Sequence, residues 1–259
     1  MDFYVIPPRA HAELMDLGDR YFCLAQQYQK DETYRQFFKE RVQQGKWVTL
    51  DNGVGDHDFI SQDELFDIMI DLQPSEVIPL DVLKNGKQTF VNAVEFILRM
   101  KKEGLQNIEV LAVPQGNTLD EWLECYVQLS NLSEVSTLGM SKLAIPWVIS
   151  QSTHDRNIGR DRNQMMDILK EEKLFRKQLH FLGAGEPTEF VHYINNPFVR
   201  STDSCFTIWS GSNNVRFDDN YQRIPTPKNY FDLILNENQL SLAKENIEIF
   251  RKILRHGKF

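Results

Sequence analysis

The chain is short of cysteine, of long apolar runs and of clustered metal-binding side chains, and each shortage removes a class of protein. Cys23, Cys125 and Cys205 are the only thiols in 259 residues, widely separated and in unlike contexts. They read as free thiols in a reducing compartment and leave no disulfide framework. No apolar stretch approaches the ~18 residues of a membrane-spanning helix. The opening MDFYVIPPRAHAEL lacks the basic start and small-residue cleavage site of a secretion signal, so a cytoplasmic location is expected. His and Cys never gather at metal-ligand spacing, and neither a metal nor a cofactor is expected. The longer phosphate-loop and dinucleotide signatures are missing as well.

What remains is a globular chain, 41% apolar and 25% charged, long enough to bury a large core. A net charge of −8 argues against a protein that coats nucleic acid indiscriminately. It leaves room for a local basic face, and two stretches rich in Lys and Arg are candidates, Arg156–Lys177 and Lys244–Lys258. Mixed runs of this kind more often form a solvated helix face.

Apolar runs bounded by turn residues predict eight strands, near residues 3, 22, 48, 78, 110, 138, 180 and 200. Helical patterns separate most of them. The clearest are 31–43 behind Asp31, one capped by Ser61 with Glu64 three residues on, 89–102, 119–129 behind Thr118, and 161–177. A basic-ended amphipathic helix over 240–254 closes the chain. Between residues 209 and 230 periodicity is lost among Asn, Ser, Pro and Asp. Eight strands alternating with helices predict an α/β fold, a single (β/α)8 TIM-like barrel over 1–259 with irregular crossovers and a C-terminal helix. Residues 206–236 are expected as an irregular excursion within it.

In such a barrel the loops after the strands share one face. The strand Trp47–Leu50 delivers Asp51, and the strand ending at Leu80 delivers Asp81. Later strands bring Gln115-Gly116, Gly139, Gly183-Ala184-Gly185 and Asp203 to the same rim. Carboxylates accept from ring N–H and amino groups, a carboxamide donates and accepts, and glycine lets a ligand approach the backbone. Together they suit a polar heterocycle. Singly each has an ordinary explanation: an Asx turn for Asp51, a helix-flanking polar residue for Gln115, a tight turn for the glycines. Two aspartates could divide nucleophilic and acid/base duties in glycosyl chemistry, but they do not separate hydrolysis from transfer. A metal-assisted nuclease stays open too, although no histidine partner is evident around Asp51, Asp81 and Asp203.

The ordered set resembles the queuine/archaeosine tRNA-guanine transglycosylase family, and more closely its compact phage and bacterial relatives that insert 7-deazaguanine bases into DNA. The likeness covers roughly residues 47–209. Leu50-Asp51-Asn52-Gly53-Val54-Gly55 stands where the family has Thr-Asp-Ser-Gly-Gly-Phe-Gln, which implies Asp51 as general acid/base. Ile78-Pro79-Leu80-Asp81 matches the base-reading aspartate, and Val113-Pro114-Gln115-Gly116 matches Val-Gln-Gly-Gly. Leu138-Gly139-Met140 resembles the segment that meets the base through backbone groups. Phe181-Leu182-Gly183-Ala184-Gly185 resembles the turn before the nucleophile strand, and Asp203 falls on the nucleophile. The family's zinc-binding cysteines and histidine are missing, Thr207-Ile208-Trp209-Ser210 replaces Pro-Thr-Arg, and the base-stacking aromatic is unassigned.

The likeness implies a pentosyltransferase that exchanges guanine in DNA for a preQ0-like base through an aspartyl ester. Its partners would be a flipped guanine nucleotide and the free deazaguanine, with no membrane and no cofactor, in the host cytoplasm if the gene is phage-borne. An oligomer or accessory protein is compatible with it. Arg156, Arg160, Arg162, Lys173 and Arg216 are the expected phosphate contacts. Exchange on tRNA, nucleoside hydrolysis and a non-catalytic deazapurine-binding accessory role remain the alternatives.

Overall fold

The computed structural model describes residues 1–54, 60–152, 158–217, 221 and 224–257. Eight parallel strands form one sheet: β1 Asp2–Val5, β2 Tyr21–Leu24, β3 Val48–Asp51, β4 Glu76–Val77, β5 Glu109–Ala112, β6 Val135–Gly139, β7 Gln178–Phe181 and β8 Val199–Ser204. Neighbours run β1-β8-β7-β6-β5-β4-β3-β2, and a parallel bridge from Tyr4 to Arg20 nearly closes the remaining seam. This is the expected (β/α)8 barrel-like fold. All eight strands lie where the apolar runs put them, to within a few residues.

Helices pack outside: α1 Ala25–Lys30, α2 Glu32–Gln43, α3 Gln62–Leu72, α4 Gly86–Lys102, α5 Leu119–Ser130, α6 Ala144–Ser150, α7 Ile158–Glu171, α8 Phe206–Ser212 and α9 Glu237–His256. Their starts follow local chemistry. Ser61 and Glu64 form a reciprocal capping box on α3, Asp31 caps α2 and Thr118 caps α5. Three helices escape the periodicity. α1 and α6 are too short to show a repeat, and α8 occupies the start of the stretch expected to be irregular. Helix α7 begins at Ile158 and stops at Glu171, with Lys173 in a left-handed conformation just beyond it. Before β8 the chain makes a tight helical turn, Pro187–His192.

Strand alternation sorts side chains into two cores. Phe3, Val5, Cys23, Val48, Leu50, Val77, Val110, Leu179 and Phe181 face the helices in the large outer core. Tyr4, Ile6, Phe22, Leu24, Ile78, Leu111 and Val113 fill the barrel. Below them, at the strand starts, lies a polar plug. Arg200 donates to both oxygens of Glu76 (2.7 and 2.9 Å) and to Thr137 Oγ1 (2.7 Å), while Thr49 donates to Glu76 Oε2 (2.9 Å). A bidentate guanidinium–carboxylate pair with hydroxyl support satisfies charges that could not be buried singly. The plug fills the barrel at the strand starts, opposite the strand ends.

Candidate active site

The strand-end face holds a cavity of about 390 Å³, within the size range of small-molecule sites. Asp51 from β3, Asp81 after β4 and Asp203 from β8 all line it, as does Gly183. Three carboxyls placed far apart in sequence thus converge because parallel strands deliver their C-terminal ends to one rim.

Asp203 is held through one oxygen. The His180 ring nitrogen Nε2 lies 3.0 Å from its Oδ1, and the backbone N–H of Gly183 donates to the same oxygen at 3.0 Å. Gly183 has a φ of 69°, which favours glycine there, and an added Cβ would lie 2.4 Å from Lys142 Cδ and push that flexible side chain aside. His180 itself is fully buried. It stacks on Phe22 (interplanar angle 12°) and meets Tyr4 edge-on. The absence of a histidine partner expected from sequence is therefore overturned. The available signal was one polar residue between Leu179 and Phe181, which strand alternation turns into the barrel.

Asp81 is bracketed by two carboxamides. Asn52 Nδ2 donates to its Oδ1 at 2.8 Å and Gln115 Nε2 to its Oδ2 at 2.5 Å. Burial raises its carboxyl from the ordinary 3.8 to about 6, against the lowering effect of both donors. Asp51 turns the chain away from β3, its Oδ2 accepting from Gly53 N at 3.0 Å. Beside it, Gln26 and Gln27 of α1 also line the cavity.

Other expected site residues are nearby but face elsewhere. Gly116 is pressed against α5, where a Cβ would lie 2.4 Å from Trp122 N. Gly139 makes room for Leu182 and Val113 inside the barrel, at 2.8 and 2.9 Å from its virtual Cβ. Met140 points into the outer core because alternation places it there, and its N–H is spent on His180 O (2.7 Å). Gly185 is buried without lining the cavity.

The expected phosphate contacts scatter. Arg162 is fully buried, paired with Glu189 (Nε to Oε1 2.8 Å) and donating to the carbonyls of Met140, Leu182 and Gly183. It props the β6 and β7 loops from behind and cannot reach a phosphate in solvent. Arg160 is exposed beside Asp161 at the site end of α7. Lys173 lies past the other end of that helix, toward the opposite rim, and Arg216 pairs with Glu245 of α9 at 2.7 Å. Arg156 falls outside the described residues. Among the described residues the cations that line the cavity are Lys142 and Lys228.

The excursion expected over 206–236 supplies a wall. Ile224, Thr226, Pro227, Lys228, Tyr230 and Phe231 line the cavity, and Tyr230 anchors them by donating its hydroxyl to Ile6 O at 2.7 Å. Among the described residues no group of three or more His, Cys, Asp or Glu is placed to hold a metal ion, and no helix is long and apolar enough to cross a membrane. Compared with protein-family models and with curated protein sequences, the chain matches none.

Proposed function

We propose that this barrel exchanges a guanine in DNA for a 7-deazaguanine base through a glycosyl ester on Asp203. One observation carries the reading: Asp203, held through a single oxygen, shares a cavity with Asp51 and with the carboxamide-bracketed Asp81. The likeness to the transglycosylase family, read from the ordered motifs, supports the same roles.

In this chemistry Asp203 attacks C1′ of a nucleotide swung out of the duplex, since C1′ is shielded within the stack. The C1′–N9 bond breaks, its electron pair passes to N9, and the Asp51 carboxyl protonates the leaving guanine. The incoming deazaguanine gives its N9 proton to the Asp51 carboxylate. Its nitrogen then displaces Asp203 from C1′, and the phosphodiester backbone is never cut. Asp81 would read the donor edge of the base, while Gln115, expected to share that task, is buried outside the cavity lining and holds Asp81 from behind. Phe231, half-buried at the mouth, would cover the ring face.

The test is incubation of the protein with duplex DNA carrying labelled guanine, with and without free preQ0, followed by nucleoside mass spectrometry. Base exchange predicts preQ0 nucleoside in the DNA and labelled guanine in solution, both lost in Asp203→Ala. Guanine release without incorporation would mean hydrolysis. Incorporation only into tRNA would move the substrate, and binding without turnover would leave an accessory role.

A further inference from the structure

An unbroken line of hydrogen bonds runs through the barrel interior from a permanent cation to Asp203. Arg200 Nε lies 3.2 Å from Ser201 Oγ, which lies 2.8 Å from His180 Nδ1. His180 Nε2 is in turn 3.0 Å from Asp203 Oδ1. A guanidinium has donors only, so Ser201 Oγ must accept from Arg200. The serine O–H then points to the acceptor within reach, His180 Nδ1. A ring nitrogen that accepts carries no proton, which leaves the proton of a neutral ring on Nε2, aimed at the carboxylate. Arg200 cannot turn away to reverse this order, because its other nitrogens are fixed on Glu76 and Thr137.

The ring has no freedom to choose another arrangement. It is fully buried, with Phe22 against one face and Tyr4 against its edge. Asp203 receives both of its donors, His180 Nε2 and Gly183 N, on Oδ1. Among the described residues Oδ2 has no donor. A neutral ring orients a carboxylate without neutralising it, whereas a cationic ring would pair with it and blunt its attack.

We infer that His180 is a positioning residue for Asp203, locked as the Nε2–H tautomer by Arg200 and Ser201, so that Oδ1 is the held oxygen and Oδ2 the attacking one. The catalytic half of this inference rests on the proposed base exchange, while the tautomer does not.

Two measurements separate them. Long-range ¹H–¹⁵N correlation spectra of the ¹⁵N-histidine-labelled protein, without ligand, report each ring's protonation, with His180 assigned by its loss in His180→Gln. The expected result is a neutral Nε2–H ring that becomes a tautomer mixture in Ser201→Ala. A neutral ring protonated at Nδ1, or an imidazolium at neutral pH, overturns the lock. In exchange assays His180→Phe should lower kcat by on the order of tenfold to a hundredfold with KM for preQ0 unchanged. His180→Gln, which restores an N–H, should recover most of the loss. Equal losses in the two variants at matched melting temperature overturn the positioning role. A wild-type protein that exchanges no base sinks the functional reading instead, and the spectra still decide the tautomer.

Discussion

Gly183 donates its backbone N–H to Asp203 Oδ1 at 3.0 Å from a left-handed conformation with φ 69°. A loop glycine and a strand carboxylate, twenty residues apart, thus fix one another. Gly183→Ala should destabilise the fold by about 1–2 kcal/mol, the penalty of a side chain in that backbone region. It should also displace Lys142, whose side chain occupies the space a Cβ would fill. Urea melts and exchange rates check this. The expected pattern is a loss of kcat larger than the stability loss explains, because the donor to Asp203 moves.

Asp81 makes stability and binding depend on pH in opposite directions. Burial raises its carboxyl from 3.8 to about 6, so the folded chain keeps a proton that the unfolded chain has released. Stability from that proton is fully present below pH ~4 and is lost as pH rises through about 6, by on the order of 2–3 kcal/mol. The carboxylate is the form that accepts from ring N–H and amino groups, so preQ0 affinity should rise through the same window. Urea melts from pH 4 to 7 and calorimetric titrations from pH 5 to 8 should show the two trends in wild type. Both should flatten in Asp81→Asn.

Arg162 separates a structural cation from a substrate-binding one. Arg162→Ala leaves Glu189 buried without its partner and should cost about 3–5 kcal/mol. Pairing Arg162→Met with Glu189→Leu should recover part of that loss. In neither variant should the salt dependence of DNA binding change, since the guanidinium faces carbonyls and not solvent.

Phosphate contacts should instead track the cavity mouth. Lys142→Ala and Lys228→Ala should each lower the slope of log affinity against log salt by about 0.9. Lys173→Ala and Arg216→Ala should leave it unchanged, the first lying toward the opposite rim and the second held by Glu245. Fluorescence anisotropy with a labelled duplex over a salt series measures all four.

Most strands were legible because buried parallel strands write continuous apolar runs, and Asp51 and Asp81 because each follows such a run directly. Asp203 follows Arg200-Ser201-Thr202 and was legible only through the resemblance of the ordered motifs. His180 was missed because a polar residue between Leu179 and Phe181 in a four-residue strand gives no sign of which face it takes until the barrel closes around it. Arg162 misled for the opposite reason. It sits in a mixed-charge helix that looks solvated, yet one turn of α7 faces the barrel, and Glu189, which answers it, lies 27 residues away. The excursion could be recognised by its lost periodicity, but its part in walling the cavity depends on Tyr230 reaching Ile6 across 224 residues of chain. Such pairings are set by topology and leave no local pattern.

The proposed ester on Asp203 is the step on which the other proposed roles depend. The wild-type protein should be mixed with a duplex containing one guanine, quenched in acid, digested and read by tandem mass spectrometry. Base exchange through Asp203 predicts the mass of a base-free deoxyribose phosphate added to the peptide at Asp203, absent from Asp203→Asn and discharged when preQ0 is added before the quench. An adduct on any other residue, or preQ0 incorporation at the wild-type rate by Asp203→Ala, would contradict it.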